Sequence, residues 1–135
     1  ENIIVTPHMK EMSRLTGIQI EEMKENPVRT AREFADQYGV VCVLKDAATV
    51  IAGRDGKTFV NGSGTPAMAK GGSGDVLTGV IAGLVALGLE ESDAAALGVY
   101  VHGLAGEAAE KHFGVHGVLA GEIADCLSEV YRDGI

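Results

Sequence analysis

The stretch AKGGSGDVLTG, residues 69–79, sets Lys70, Gly71, Gly72, Ser73, Gly74 and Asp75 directly in front of a run with almost no polar side chains. Glycines at 71, 72 and 74 allow backbone angles closed to other residues, and let a ligand come within hydrogen-bonding reach of successive N–H groups. Ahead of a helix, those N–H groups and the positive end of the helix dipole make an anion site, usually for phosphate. The lysine precedes the glycines, so the GxxxxGK[ST] order of nucleoside triphosphatases is missing, and GxGxxG does not fit either. A second reading of the same residues is a glycine-rich turn whose Ser73 or Asp75 caps the helix.

The elements that must position such a site can be read along the chain. NIIVTP is a short apolar run stopped by Pro7, expected as a buried strand that delivers Thr6, Pro7 and His8 into a loop. Helical spacing follows in MKEMSRL. In NPVRTAREFADQYG, Asn26 is placed as an N-cap, Pro27 as the first helical residue and Gly39 as the stop. VVCVLK then reads as a second buried strand, and its arrival after a full helix predicts a parallel βαβ unit. ATVIAGRDGKTFVN offers two runs around Asp55-Gly56, a hairpin signal. Asp75 is expected to open a helix, DVLTGVIAGLVALG, apolar nearly all round and therefore covered on every side. Gly79 and Gly83, four apart, would let another backbone approach. Two further helices are expected, one from a Ser92 cap through AAALGVYVHGLAGEAAEKH and one in LAGEIADCLSEVYR, with Leu119, Ile123, Cys126, Leu127 and Val130 on one stripe.

Composition excludes several classes. The chain has 135 residues, 46% of them hydrophobic, and a formal charge of −8, so it reads as a globular domain with no basic footprint for nucleic acid or anionic lipid. Its two cysteines, Cys42 and Cys126, sit in apolar surroundings far apart in sequence, as expected of buried free thiols in a reducing compartment. ENIIVTPHMKEM lacks the basic start and apolar region of a signal peptide, and no apolar run reaches the ~20 residues of a bilayer span. A soluble, cytoplasmic protein acting on small molecules is the expectation. Four strands with three or four helices cannot easily bury an all-apolar helix, and the chain opens at a core strand, so residues 1–135 read as a single domain fragment, half of a larger α/β domain.

AKGGSGDVLTG, together with TPHMKEMSRL, VLKDAATVIA and GVYVHGLAGEAA, resembles the ADP- or ATP-dependent NAD(P)H-hydrate dehydratases of the ribokinase-like superfamily, from Asn2 to about Tyr131. The resemblance implies an α/β fold, a ribokinase-like three-layer α/β/α domain of which this chain is the C-terminal portion. It implies that His8 contacts the hydrated nicotinamide substrate and that Lys45, Asp46, Ala47, Ala48 and Thr49 hold the adenine nucleotide. It further implies that Gly71, Gly72, Ser73 and Gly74 surround the phosphates, Gly74 most directly, and that Asp75 contacts the substrate hydroxyl as the base. The implied cofactors are ADP or ATP with Mg2+, and the implied partners are NAD(P)H hydrate and the N-terminal half of the same domain; the all-apolar helix adds the expectation of a homo-oligomer, and the composition that of no nucleic acid and no membrane. Two departures from the pattern stand out: Asp46 replaces a glycine, and GTPAM replaces GNPGM. The alternatives are a kinase of a sugar or vitamin alcohol on the same fold, or a catalytically incompetent half-domain that binds nucleotide.

The remaining chemistry-bearing residues have plainer readings. His102, embedded in VYVHGLAG, is expected as a satisfied core histidine. Lys70 is either a phosphate contact or a solvated loop lysine, and the methionines are read as packing filler. His112 and His116 are four apart, but Gly114 and Gly117 break any helix there and no neighbouring carboxylate or thiolate completes a metal set, so no metal ligand is expected.

Overall fold

The computed structural model describes residues 2–134. In chain order the elements are β1 (Ile4–Val5), α1 (Met9–Thr16), α2 (Ile20–Glu25), α3 (Pro27–Tyr38), β2 (Val41–Leu44), β3 (Val50–Ala52), β4 (Thr58–Val60), a 3-10 turn (Pro66–Met68), α4 (Ser73–Ala86), α5 (Glu91–Phe113) and α6 (Ala120–Asp133). Their contacts divide the chain into two compact units, one of the residues through Asn61 with Glu90–Ala96, the other of Gly62–Leu89 with Leu97 onward.

The first unit is built on a mixed sheet of order β1-β2-β3-β4. β1 and β2 are parallel, pairing Ile4 with Val41 and Val5 with Cys42, as a strand–helix–strand crossover requires. The crossover helix α3 is punctuated as its sequence demands: Asn26 Oδ1 accepts from the Arg29 N–H at 3.0 Å, Pro27 follows, and Gly39 ends it at φ 64°. The hairpin turns at Gly56, φ 82°, and pairs β3 with β4 antiparallel. All four residues of β2 are fully buried, which is why its sequence is continuously apolar rather than alternating. Cys42, Leu44, Val50 and Ala52 share one core with Met12, Met23, Ala31 and Ala35. Burying a side chain such as Met12 or Met23 is worth about 1.5–3 kcal/mol each. Arg32 fastens α3 to the hairpin: its guanidinium donates to the carbonyl of Gly53, to that of Lys57 at 3.1 Å, and to Asp36 at 2.8 Å.

Three expectations for this unit need correction. β1 is half-buried rather than buried, because it pairs on one side only at the edge of the sheet. α2 has no counterpart among the expected elements; it is six residues long, lacks a side-chain cap at Gln19, and is held by burial of Met23. Ser92 does not cap α5: the Glu90 carboxylate accepts from the N–H of Ser92 at 3.0 Å and of Asp93 at 3.4 Å, while Ser92 itself is buried.

In the second unit α4 packs on α6, burying Leu77, Val80, Ile81 and Leu84 from the one and Ile123, Cys126 and Val130 from the other. α4 starts at Ser73, two residues earlier than the position of Asp75 suggests. It is also not covered all round. Leu87, directly after α4, is 80% exposed, and an apolar groove runs between Val76, Gly79 and Gly83 of α4 with Leu87 on one side and Leu127 and Tyr131 of α6 on the other, because the stripe of α6 is narrower than the apolar surface of α4. The close helix approach belongs to Gly98 rather than to Gly79 or Gly83. A Cβ on Gly98 would lie 2.7 Å from the Ile81 side chain, whereas none at Gly79 or Gly83 would meet an atom within 4 Å. Leu119 precedes α6 and is 62% exposed, so the buried stripe begins at Ile123. Both cysteines are free and buried, as expected. No helix among the described residues is long and apolar enough to cross a membrane.

Candidate functional site

In the first unit the parallel strands β1 and β2 end side by side, and the loops beyond their carboxyl ends carry two of the sequence candidates. In open α/β sheets this is where ligands bind. The Lys45 N–H donates to the Pro7 carbonyl at 2.9 Å, and His8 and Lys45 form an isolated parallel bridge, so the histidine and the 45–49 segment are neighbours. His8 also starts α1. Its Nδ1 accepts from the Glu11 N–H at 3.1 Å, and Glu11 Oε2 accepts from the His8 N–H at 2.8 Å, a reciprocal capping box with histidine in the place usually taken by serine or threonine. With Nδ1 engaged as an acceptor, a neutral ring carries its proton on Nε2, which lies 3.5 Å from Glu11 Oε1. The ring remains half exposed. The backbone hydrogen bond from His8 holds the Glu11 carboxyl below its ordinary value, with the His8, Lys45 and Arg14 charges acting in the same direction.

Glu11 is therefore a positioning residue that the motif reading passed over. Its signal was present: a glutamate three residues after a candidate cap is the capping-box spacing. Beside it lies a shallow depression lined by Thr6, Pro7, Glu11, Arg14 and Leu15. The KDAAT segment runs from half-buried Lys45 through exposed Asp46, Ala47 and Ala48 to buried Thr49. Thr49 Oγ1 donates to the Asp46 carbonyl at 3.3 Å, closing the segment on itself.

In the second unit the glycine-rich stretch forms the start of α4. Gly72 stands at the N-cap with φ 88°, a left-handed conformation that only glycine adopts cheaply. The Ser73 N–H donates to the Lys70 carbonyl at 3.2 Å and the Asp75 N–H to the Gly72 carbonyl at 3.1 Å. Among the described residues, the N–H groups of Gly71, Gly72 and Gly74 have no acceptor. Neither Ser73 nor Asp75 caps the helix, which removes the plain capping reading. The Ser73 side chain is buried and turns inward, its Oγ 3.4 Å from Nε2 of the equally buried His102. His102 is thus the satisfied core histidine expected. Asp75 occupies the first turn and is exposed, and among the described residues its carboxylate accepts no hydrogen bond. The arrangement offers three N–H donors, the positive end of a 14-residue helix and an uncommitted carboxylate within one turn.

The loop before it is fixed by α5. Glu107 accepts from the Gly64 N–H at 2.8 Å, and Glu110 accepts from the Thr65 hydroxyl. These carboxylates are spaced as on any solvated helix face, so their spacing alone gives no sign of that role. The same unit revises the reading of His112. The fold brings Cys126 and Glu129 of α6 near it, with His112 Nε2 3.0 Å from Glu129 Oε2 and the three ligand atoms within 4.8 Å of one another, while His116 lies outside the group.

A family model described as NAD(P)H-hydrate dehydratase matches residues 1–129. The bifunctional NAD(P)H-hydrate repair enzyme Nnr of Moorella thermoacetica is 44% identical over 131 residues, 97% of this chain and 25% of that protein. The ADP-dependent (S)-NAD(P)H-hydrate dehydratase of Bacillus subtilis is 38% identical over 130 residues, 96% of this chain and 47% of that protein. The crystal structure of the Bacillus subtilis ADP/ATP-dependent NAD(P)H-hydrate dehydratase co-crystallized with ATP/Mg2+ superposes with a TM-score of 0.93 at 38% identity, over 98% of this chain and 48% of that one. The chain thus spans between a quarter and a half of the length of these relatives. Matched over nearly its whole length in sequence and in backbone, the chain has the α/β fold of the NAD(P)H-hydrate dehydratases and belongs to that family.

Proposed function

We propose that this chain is the C-terminal part of an enzyme that dehydrates the S-epimer of NAD(P)H hydrate to NAD(P)H at the expense of ADP or ATP. The observation that carries the reading is the first turn of α4, where acceptor-free N–H groups of Gly71, Gly72 and Gly74 stand with the exposed carboxylate of Asp75. Hydroxide is a poor leaving group from the hydrated ring, and phosphorylation of its oxygen solves that problem. The hydroxyl oxygen attacks the terminal phosphorus of the nucleotide, its proton passes to Asp75, and the shortened nucleotide departs. The ring nitrogen lone pair then expels phosphate, and loss of a proton from the adjacent carbon restores the double bond.

Phosphoryl transfer of this kind asks the protein for positioning, charge neutralisation and a proton acceptor. The N–H groups at 71, 72 and 74 answer the second need and Asp75 the third. Lys45, Asp46, Ala47, Ala48 and Thr49 hold the adenine nucleotide, and His8 orients the hydrated nicotinamide through Nε2, its Nδ1 being committed to α1. A Mg2+ ion bound with the nucleotide would supply charge that offsets the repulsion between the Asp75 carboxylate and the phosphate oxygens. The N-terminal half of the domain completes the substrate pocket, the assembly is a homo-oligomer, and its place is the cytoplasm. A coupled assay following NADH recovered from its hydrate with ADP, ATP or neither decides the matter. Recovery only with nucleotide is expected; equal recovery without nucleotide, or none from the complete enzyme, would overturn the proposal.

A further inference from the structure

We propose that His112, Cys126 and Glu129 form a binding site for one divalent transition-metal ion, Zn(II) by the chemistry of its donors. This goes beyond the dehydratase reading and does not depend on it. The imidazole, the thiol sulfur and a carboxylate oxygen all lie within 4.8 Å of one another. Cys126 and Glu129 are three residues apart on α6, so both point from one face of that helix. His112 comes from the last turn of α5, and Gly114, at φ 74°, ends that helix directly after Phe113.

The donor set is selective. Thiolate, imidazole and carboxylate together suit Zn(II) and Co(II), whereas Mg2+ and Ca2+ take oxygen ligands. Metal–ligand bonds of about 2.0–2.3 Å place the ligand atoms of a tetrahedral ion roughly 3–4 Å apart. Rotation of the long Glu129 and His112 side chains, which are 34% and 54% exposed, supplies the small contraction this needs. Cys126 is only 7% exposed and anchors the site from within.

The surroundings favour a cation. Glu122, Asp125 and Glu129 all act on the Cys126 sulfur with negative charge, and the carbonyl end of α5 adds the negative pole of its dipole at His112. The 3.0 Å contact between His112 and Glu129 stands beside a sulfur that the buried stripe of α6 already holds in place, so two ligand atoms meet a fixed third. Coordination releases the thiol proton to solvent and ties the end of α5 to α6.

The test is a titration of the chelator-treated protein with Co(II), followed by displacement with Zn(II). One Co(II) per chain is expected, with a near-ultraviolet sulfur-to-cobalt charge-transfer band that Zn(II) abolishes and excess Mg(II) does not. Cys126→Ser should remove the band. His112→Gln and Glu129→Gln, both at exposed positions, should each weaken Zn(II) binding by at least the 10–100-fold that even the outer partners of a metal site cost. Absence of the band in the unaltered protein would overturn the proposal and leave an ion pair only. So would Zn(II) affinity unchanged by both His112→Gln and Glu129→Gln.

Discussion

The loops after β1 and β2 and the start of α4 carry the same kind of polar equipment but hold it in opposite ways. Around His8 the side chains are spent on the protein itself: Nδ1 caps α1, Glu11 closes the capping box, and Thr49 bonds back to the Asp46 carbonyl. At the start of α4 the donors of Gly71, Gly72 and Gly74 and the acceptor of Asp75 are left over. A helix N-terminus always has surplus N–H groups, and here no side chain from the same helix consumes them. The first region thus has its polar groups largely engaged within the chain, and the second leaves donors and a carboxylate unengaged among the described residues. Substitutions should separate the two by what they change: turnover and anion affinity at α4, local stability and substrate orientation at β1.

The largest effect is expected at Asp75. In the complete enzyme Asp75→Asn should lower turnover by about 100-fold or more, the usual weight of a general base, while nucleotide affinity measured by calorimetry survives. Turnover within a few-fold of the starting enzyme would remove Asp75 from the chemistry. Next comes Gly72, whose left-handed φ of 88° any other residue would meet only with strain, a requirement its neighbour Gly74, inside α4, does not share. Gly72→Val forces a branched side chain into that conformation and brings its Cβ to 3.2 Å from the Ala120 side chain. A loss of about 1–3 kcal/mol in denaturant unfolding is expected, with nucleotide affinity falling as the donors move. Full stability would mean the cap can relax.

A smaller effect is expected at His8. His8→Ala removes a cap and should cost about 1 kcal/mol of stability, whereas Glu11→Gln keeps the side chain's reach and removes its charge. Because the Glu11 carboxyl is held below its ordinary value of 4.5, its contribution is fully present above that value and lost as pH falls through the lowered folded value. Denaturation midpoints of the two proteins should therefore differ at neutral pH and converge in acid; a constant difference would dismiss the capping box. The smallest expected change is at Asp46. It is exposed and uses only its carbonyl within the segment, so Asp46→Gly should tighten nucleotide binding by a few-fold as a carboxylate near anionic phosphate is removed. Weaker binding would instead make the Asp46 side chain a ligand.

Legibility followed the range of the interactions. α3 and the hairpin at Gly56 could be read because their signals lie within a few residues of the structure they impose, and the parallel β1–β2 pair because a full helix between two strands requires a crossover. The candidate residues of the glycine-rich stretch could be named from type and spacing, but which of them face outward could not. Ser73 turns in to His102, 29 residues away, and Asp75 faces out, a division set by helix phase once Leu77, Val80 and Ile81 are buried. The start of α4 at Ser73 was hidden because glycines score against a helix, although Gly72 in its left-handed conformation is what starts this one.

Residue type and short spacing by themselves carried the capping signals of α3 and the glycine-rich start of α4, and the longer motif carried the resemblance to the family, because each depends on neighbours along the chain. Tertiary structure alone decided what crosses that distance. It set Gly98 rather than Gly79 or Gly83 against a facing helix, left Leu87 uncovered, and carried Cys126 and Glu129 to His112. The physical reason is that a side chain's partners across an interface depend on the crossing of whole elements, and the packing of every buried residue together sets that crossing.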